Sequence, residues 1–235
     1  MPIRTRRLAR ERLLVVTGLG VASAFCVVFE IVRELYFEQP GYRFLLWNLV
    51  LAWVPFVLAL LVYDRYQAGT RLERLVPAVA LWLLFMPNAP YILTDFIHLR
   101  PASHTPLWFD AAVLSAFAWT GLLLGFASLY LQHTVFRDRF GARAGWLGVA
   151  GALGVTSAGM YLGRFLRWNS WDLLVRPGKR LTQLAPHLAD PAAVARASAL
   201  TLLLTLLLGG AYVVFCSLFG APLEPDRGPP SQRRS

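Results

Sequence analysis

Asp95 and His98 stand three residues apart, and so do Arg164 and Arg167. A carboxylate one helical turn before an imidazole can orient it for general acid or base work. Two arginines at that spacing can hold one phosphate, best through a bidentate fork. Asn88, Tyr91, Asp110, Asn169 and Asp172 complete a polar constellation around them. Four readings compete. In the first, Asp95 and Asp172 pair with Arg164 and Arg167 and pin helices together, because buried charges are normally paired. Asp110 is then an acid in the first turn of a helix, where the dipole favours it. In the second, the cluster is an enzyme site for a phosphate-bearing lipid, with Asp95 and His98 as the catalytic candidates. In the third, it lines the path of a small-solute carrier. In the fourth, Asp95, His98, His104 and Asp110 hold a hard or borderline cation. The Pro101–Pro106 loop leaves that geometry undefined, so no metal site is assigned. Known catalytic patterns are mostly missing. There is no G-x-x-x-x-G-K-[ST] and no H-E-x-x-H. Val155–Gly159 lacks the first glycine of a nucleophile elbow. No cofactor is expected.

The elements that must position these residues are apolar. Six stretches carry no Asp, Glu, Lys or Arg: Leu13–Phe29, Phe44–Tyr63, Leu75–Thr94, Ala111–Leu131, Ala144–Gly163 and Ala197–Leu223. A membrane-spanning helix needs roughly 20 mostly apolar residues. Mean hydropathy is +0.51, and charged residues make up 15%, against about a quarter in soluble domains. The net charge of +10 does not point to nucleic acid. The basic residues, nearly all arginines, sit in short connections, where they fix topology and meet anionic headgroups. Cys26 and Cys216 lie inside apolar stretches and read as small buried hydrophobes.

Arg4, Arg6, Arg7, Arg10 and Arg12 precede the first stretch, and Ala22-Ser23-Ala24 has the form of a cleavage site. The apolar run continues to Phe29, so an uncleaved first helix is expected. With the N-terminus inside, most arginines fall inside, as the positive-inside rule asks. The connection between the fifth and sixth stretches breaks the rule with Arg164, Arg167, Arg176, Lys179 and Arg180. Either it is an interfacial segment gripping lipid phosphates, or some of these cations belong to a site.

Small residues mark close helix contacts, since no hydrophobic effect drives association in lipid. The fourth stretch holds Gly121 and Gly125. The fifth holds Gly145, Gly148, Gly159 and Gly163, which places it at the centre of the bundle. Ser157, Tyr161, Arg164 and Trp168 form its polar stripe. Pro87-Asn88-Ala89-Pro90 interrupts the third stretch, and each proline removes a donor. If an α-helix restarts at Pro90, Tyr91, Thr94, Asp95 and His98 share one face. Asp190 and Pro191 give the sixth helix an N-cap and first residue.

Arg43–Pro55, Trp82–Leu99, Trp108–Asp110 leading to Phe117–Gly121, and Gly163–Asp172 resemble the signature blocks of a bacterial membrane-protein family, domain of unknown function 1361. The resemblance runs from about Tyr42 to about Phe219. It implies a multi-pass bacterial membrane protein and assigns no activity.

The expectation is an all-α integral membrane protein: six transmembrane helices with a broken third helix (13–220), a basic cytoplasmic N-terminus (1–12) and a disordered cytoplasmic tail (221–235). It sits in a bacterial cytoplasmic membrane with both termini inside. Arg164, Arg167, Asn169, Asp172, Asn88, Tyr91 and Asp110 are expected to bind an anionic ligand at the outer face, a lipid headgroup or lipid-linked phosphate. A membrane scaffold and a small-solute carrier are the alternatives. Membrane lipids are the expected partners. Nucleic acid is not, and membrane-protein partners or a homo-oligomer stay open.

Overall fold

The computed structural model describes residues 3–37, 42–99, 105–170 and 190–219, with scattered residues between 175 and 189. Among these every regular element is helical. The helices are α1 (Ile3–Phe37), α2 (Arg43–Gln67), α3 (Leu72–Phe85), α4 (Asn88–Tyr91), a 3₁₀ segment (Ile92–His98), α5 (Leu107–Phe140), α6 (Ala142–Leu166) and α7 (Pro191–Phe219). Five segments are long and apolar enough to cross a membrane: Arg12–Phe37, Arg43–Gln67, Leu72–His98, Leu107–Phe140 and Pro191–Leu218. α6 is 25 residues long, but Gly145, Gly148, Gly151 and Gly154 dilute its hydropathy. α7 starts as expected, with the Ala192 N–H donating to Asp190 Oδ1 at 3.0 Å. α1 runs back to Ile3 through the basic residues. The tail from 220 lies outside the described residues.

The centre is α5, not the glycine-rich fifth stretch that became α6. In α5, 67% of the apolar window is buried, against 17% in α1 and in α7. It packs against α1, α2, α4, the 3₁₀ segment, α6 and α7. Glycine marks where two helices come close: in α6, Gly145 and Gly148 face α5 and Gly159 and Gly163 face the broken helix, while a Cβ on Gly151 or Gly154 would meet nothing within 4 Å. Ser128 of α5 binds the core's middle together. Its hydroxyl accepts from Trp82 Nε1 at 2.6 Å and donates to the Pro55 carbonyl at 3.0 Å. That joins α2, α3 and α5 with hydrogen bonds of the interhelical kind.

The third stretch breaks where its prolines require it. Neither Pro87 nor Pro90 can donate to the ladder, and the chain leaves α3 after Phe85. Two carbonyls at this end find side-chain donors instead. Asn88 Nδ2 donates to the Phe85 carbonyl at 2.9 Å, and the Ser170 hydroxyl donates to the Leu84 carbonyl at 3.0 Å. The break is wedged between two helices. A Cβ on Gly121 of α5 would lie 2.5 Å from the Ala89 carbonyl oxygen, and one on Gly159 of α6 would lie 2.5 Å from Pro87 Cγ. Only glycine allows either approach.

Candidate functional site

The broken helix lies between α2 and α6 and floors a groove of about 810 Å³. That falls within the roughly 300–1,000 Å³ range of ligand pockets. Its polar end is lined by Asn48, Asp95, His98, Arg164, Arg167 and Asn169. Asp95 is the deepest charge, 1% exposed. It accepts from Asn48 Nδ2 at 2.9 Å on one oxygen and from Arg164 Nη1 at 3.2 Å on the other. Arg164 Nη2 meets His98 Nε2 at 3.3 Å. A guanidinium only donates, so Nε2 is the accepting nitrogen of that ring. Arg164 therefore stands between Asp95 and His98, and Asp95 does not orient His98 directly.

Both oxygens of Asp95 are already taken, by Asn48 and Arg164, while helical period decides which residues face the groove together. The chain restarts after Tyr91 as a 3₁₀ helix, in which residues three apart eclipse. Asp95 and His98 then share a face, while Tyr91 and Thr94 share the next one. Thr94 turns back to donate to the Tyr91 carbonyl at 2.7 Å. α6 presents Val155, Ala158, Gly159, Leu162 and Gly163 to the groove together with Arg164 and Arg167. Gly163 admits the Tyr91 ring, which would lie 3.0 Å from an added Cβ. Ser157 is buried away from the groove, and Tyr161 stacks on Phe165.

Arg167 ends α6 in an unusual way. Its φ is 53° and ψ 42°, the left-handed region, and it is the one described non-glycine residue with positive φ. The next N–H, of Trp168, donates to the Leu162 carbonyl six residues back at 3.3 Å. This is the helix-ending geometry that usually carries glycine. The Arg167 side chain is exposed at the groove mouth and has no ion-pair partner among the described residues. Asn88 lines the groove too, but its amide nitrogen is engaged by Phe85 and by Ser170 Oγ at 2.8 Å. Asp172 and His104 lie outside the described residues.

Asp110 does not join this site. It sits in the first turn of α5, as its sequence position implies, but is claimed by Arg33 of α1. Arg33 Nε donates to Oδ1 at 2.8 Å and Nη2 to Oδ2 at 3.4 Å. The Arg33 guanidinium also lies over the Tyr42 ring, 4.0 Å from its centroid. Tyr42 Oη donates to Asp110 Oδ2 at 3.5 Å or to the His98 carbonyl at 3.3 Å, so it bridges the two clusters. Burial, and then the Asp110 carboxylate, push the Tyr42 phenol above its ordinary value, which keeps it a donor at neutral pH. Arg33, Tyr42 and Ser170 are the contributors that sequence reasoning missed. The spacing of Glu30 and Arg33, one turn apart just past the first apolar stretch, was the available signal.

With every described element helical, and five segments long and apolar enough to cross a membrane around a polar groove, the chain is a multi-pass membrane protein. It belongs to the family described as Protein of unknown function (DUF1361), whose model matches residues 47–209. Of the groove-lining residues only Phe44 falls outside that range. No curated protein and no solved structure matches the chain.

Proposed function

We propose that this is a six-span protein of a bacterial cytoplasmic membrane, with both termini inside, that binds an anionic ligand at its outer face. The ligand is a lipid headgroup or a lipid-linked phosphate. Arg167 carries the reading: a cation with no ion-pair partner among the described residues, held at the mouth of the groove by a backbone conformation that favours glycine. Strain of this kind clusters at functional sites. Arg164 serves as a positioning residue, since Asp95 balances its charge and His98 takes its second nitrogen. Asn169 and Tyr91 stand within the same groove as polar contacts for the ligand.

A second reading has its own support. The Arg164–Asp95 pair joins α6 to the broken helix, and Asn88 with Ser170 ties the broken helix to the chain just after α6. A scaffold needs no more than that. Native mass spectrometry of the full chain drawn from its own membranes separates the two. Wild type should retain a specific anionic lipid, and Arg167→Gln should lose it with unchanged thermal stability. The scaffold reading wins if Arg167→Gln keeps the same lipids and the paired change Asp95→Asn with Arg164→Gln, in which both charges leave together, is tolerated while Asp95→Asn alone destabilises the protein.

A further inference from the structure

We infer that the ligand is a phosphodiester lipid with one net negative charge, taken sideways from the surrounding leaflet, with an acyl chain lying between α2 and α6. This rests on the anion-site reading above and adds the charge of the head and the seat of the tail.

Charge bookkeeping on the groove lining supplies the first part. Its described acidic and cationic residues are Asp95, Arg164 and Arg167. Asp95 and Arg164 are joined at 3.2 Å and cancel. Among the described residues Arg167 is left as one uncompensated positive charge. A phosphodiester brings one negative charge and matches it. A phosphomonoester or a pyrophosphate brings more, close to the buried Asp95 carboxylate, and like charges at short range in a poorly hydrated site repel.

The wall supplies the second part. Below the polar end the groove is apolar, with Leu51 on α2, Leu84 on α3, and Val155, Ala158 and Leu162 on α6, and Trp47 stands at its outer edge beside Asn48. From Arg167 back to Val155 is twelve residues of α6 and its cap, roughly 18 Å at 1.5 Å per residue. That is about the depth of one leaflet, half of a hydrocarbon core roughly 30 Å thick. The edges of the wall are open: Trp47 is 56% exposed and Val155 48%. α3 and α4 lie between α2 and α6, so these helices leave a lateral slot and not a closed cavity. A free anion would need no such wall. A lipid whose head meets Arg167 would lay its chain along it.

Trp47 reports on the chain directly. The full chain goes into phosphatidylcholine nanodiscs containing a minor share of phosphatidylglycerol with brominated acyl chains. Quenching is compared with discs whose phosphatidylcholine is brominated instead, and Trp47→Phe isolates that residue's share of the emission. Brominated phosphatidylglycerol should quench Trp47 beyond the level of bulk lipid. Arg167→Gln should weaken that specific component roughly tenfold, the loss of one charge-assisted contact. Water-soluble glycerophosphoglycerol should not displace the lipid at equal concentration. Displacement by it, or retention of phosphatidylglycerol in native mass spectra without excess quenching of Trp47, would leave the anion site standing and overturn the seat for the chain. Stronger competition from a polyprenyl pyrophosphate or from phosphatidic acid would overturn the single-charge match. Loss of all anion retention would remove the anion site itself.

Discussion

Two buried arginine–aspartate pairs sit near the same end of the helices, and they are built for different work. Arg33 and Asp110 are sealed between α1 and α5, with side chains 5% and 3% exposed. Arg164 and Asp95 are paired beside a groove, and the arginine is 17% exposed. The first pair is bidentate and roofed by the Tyr42 ring. The second spreads its donors over two acceptors, Asp95 and His98. A sealed pair holds helices together and offers nothing to a ligand. Beside the open pair stands a second arginine, Arg167, which has no ion-pair partner among the described residues.

The largest effect should come from breaking the sealed pair. Asp110→Ala removes the carboxylate that Arg33 holds with two nitrogens, and breaking a buried pair destabilises by about 3–5 kcal/mol. Thermal unfolding in detergent should show it. The double change Arg33→Met with Asp110→Leu removes both charges and should recover most of the loss, because well-packed apolar replacements of a buried pair are often neutral. Asp95→Ala should cost less, since Arg164 can turn toward the open groove. Equal losses at the two aspartates would erase the distinction between a sealed and an open pair.

A smaller effect is expected where the groove meets its support. Gly159→Leu puts a Cβ at 2.5 Å from the Pro87 ring, a rigid neighbour that cannot rotate aside. Overpacking of this kind costs about 1–3 kcal/mol. It should also part α6 from the broken helix and so lower anionic-lipid retention in native mass spectra, while Arg33 and Asp110, held by other helices, keep their pairing. Retention at the wild-type level in a destabilised Gly159→Leu protein would mean that the groove does not depend on this contact.

The helices were legible in the residues because lipid tolerates only long apolar runs with an internally satisfied backbone. Their ends were less legible. α1 continues past Phe29 through Glu30 and Arg33, and α5 continues past Leu131 to Phe140. A charge ends a stretch's hydropathy without ending its helix. The broken third stretch was legible from Pro87 and Pro90, but its restart was not, because nothing in the residues distinguishes a 3₁₀ period from an α period over seven positions. Arg164 beside Asp95 was readable as complementary charge on two polar stripes. Asp110 was grouped with the wrong partners because its own is Arg33, 77 positions earlier, and spacing along the chain carries no information at that distance.

The smallest expected change is also the one that separates ligand binding from stability most cleanly. Arg167 occupies the left-handed region at the end of α6, where a side chain costs about 1 kcal/mol or more relative to glycine. Arg167→Gly should therefore raise the unfolding temperature slightly. The gain is partly offset because glycine loses more chain entropy on folding. If Arg167 serves an anionic ligand, the same substitution should lower lipid retention while it stabilises the protein, a trade that residues kept for packing do not make. A fall in stability would assign Arg167 to the frame of the molecule alongside Arg33. A rise in stability with retention unchanged would leave its backbone strain without a use and remove the main support for an anion site at the groove.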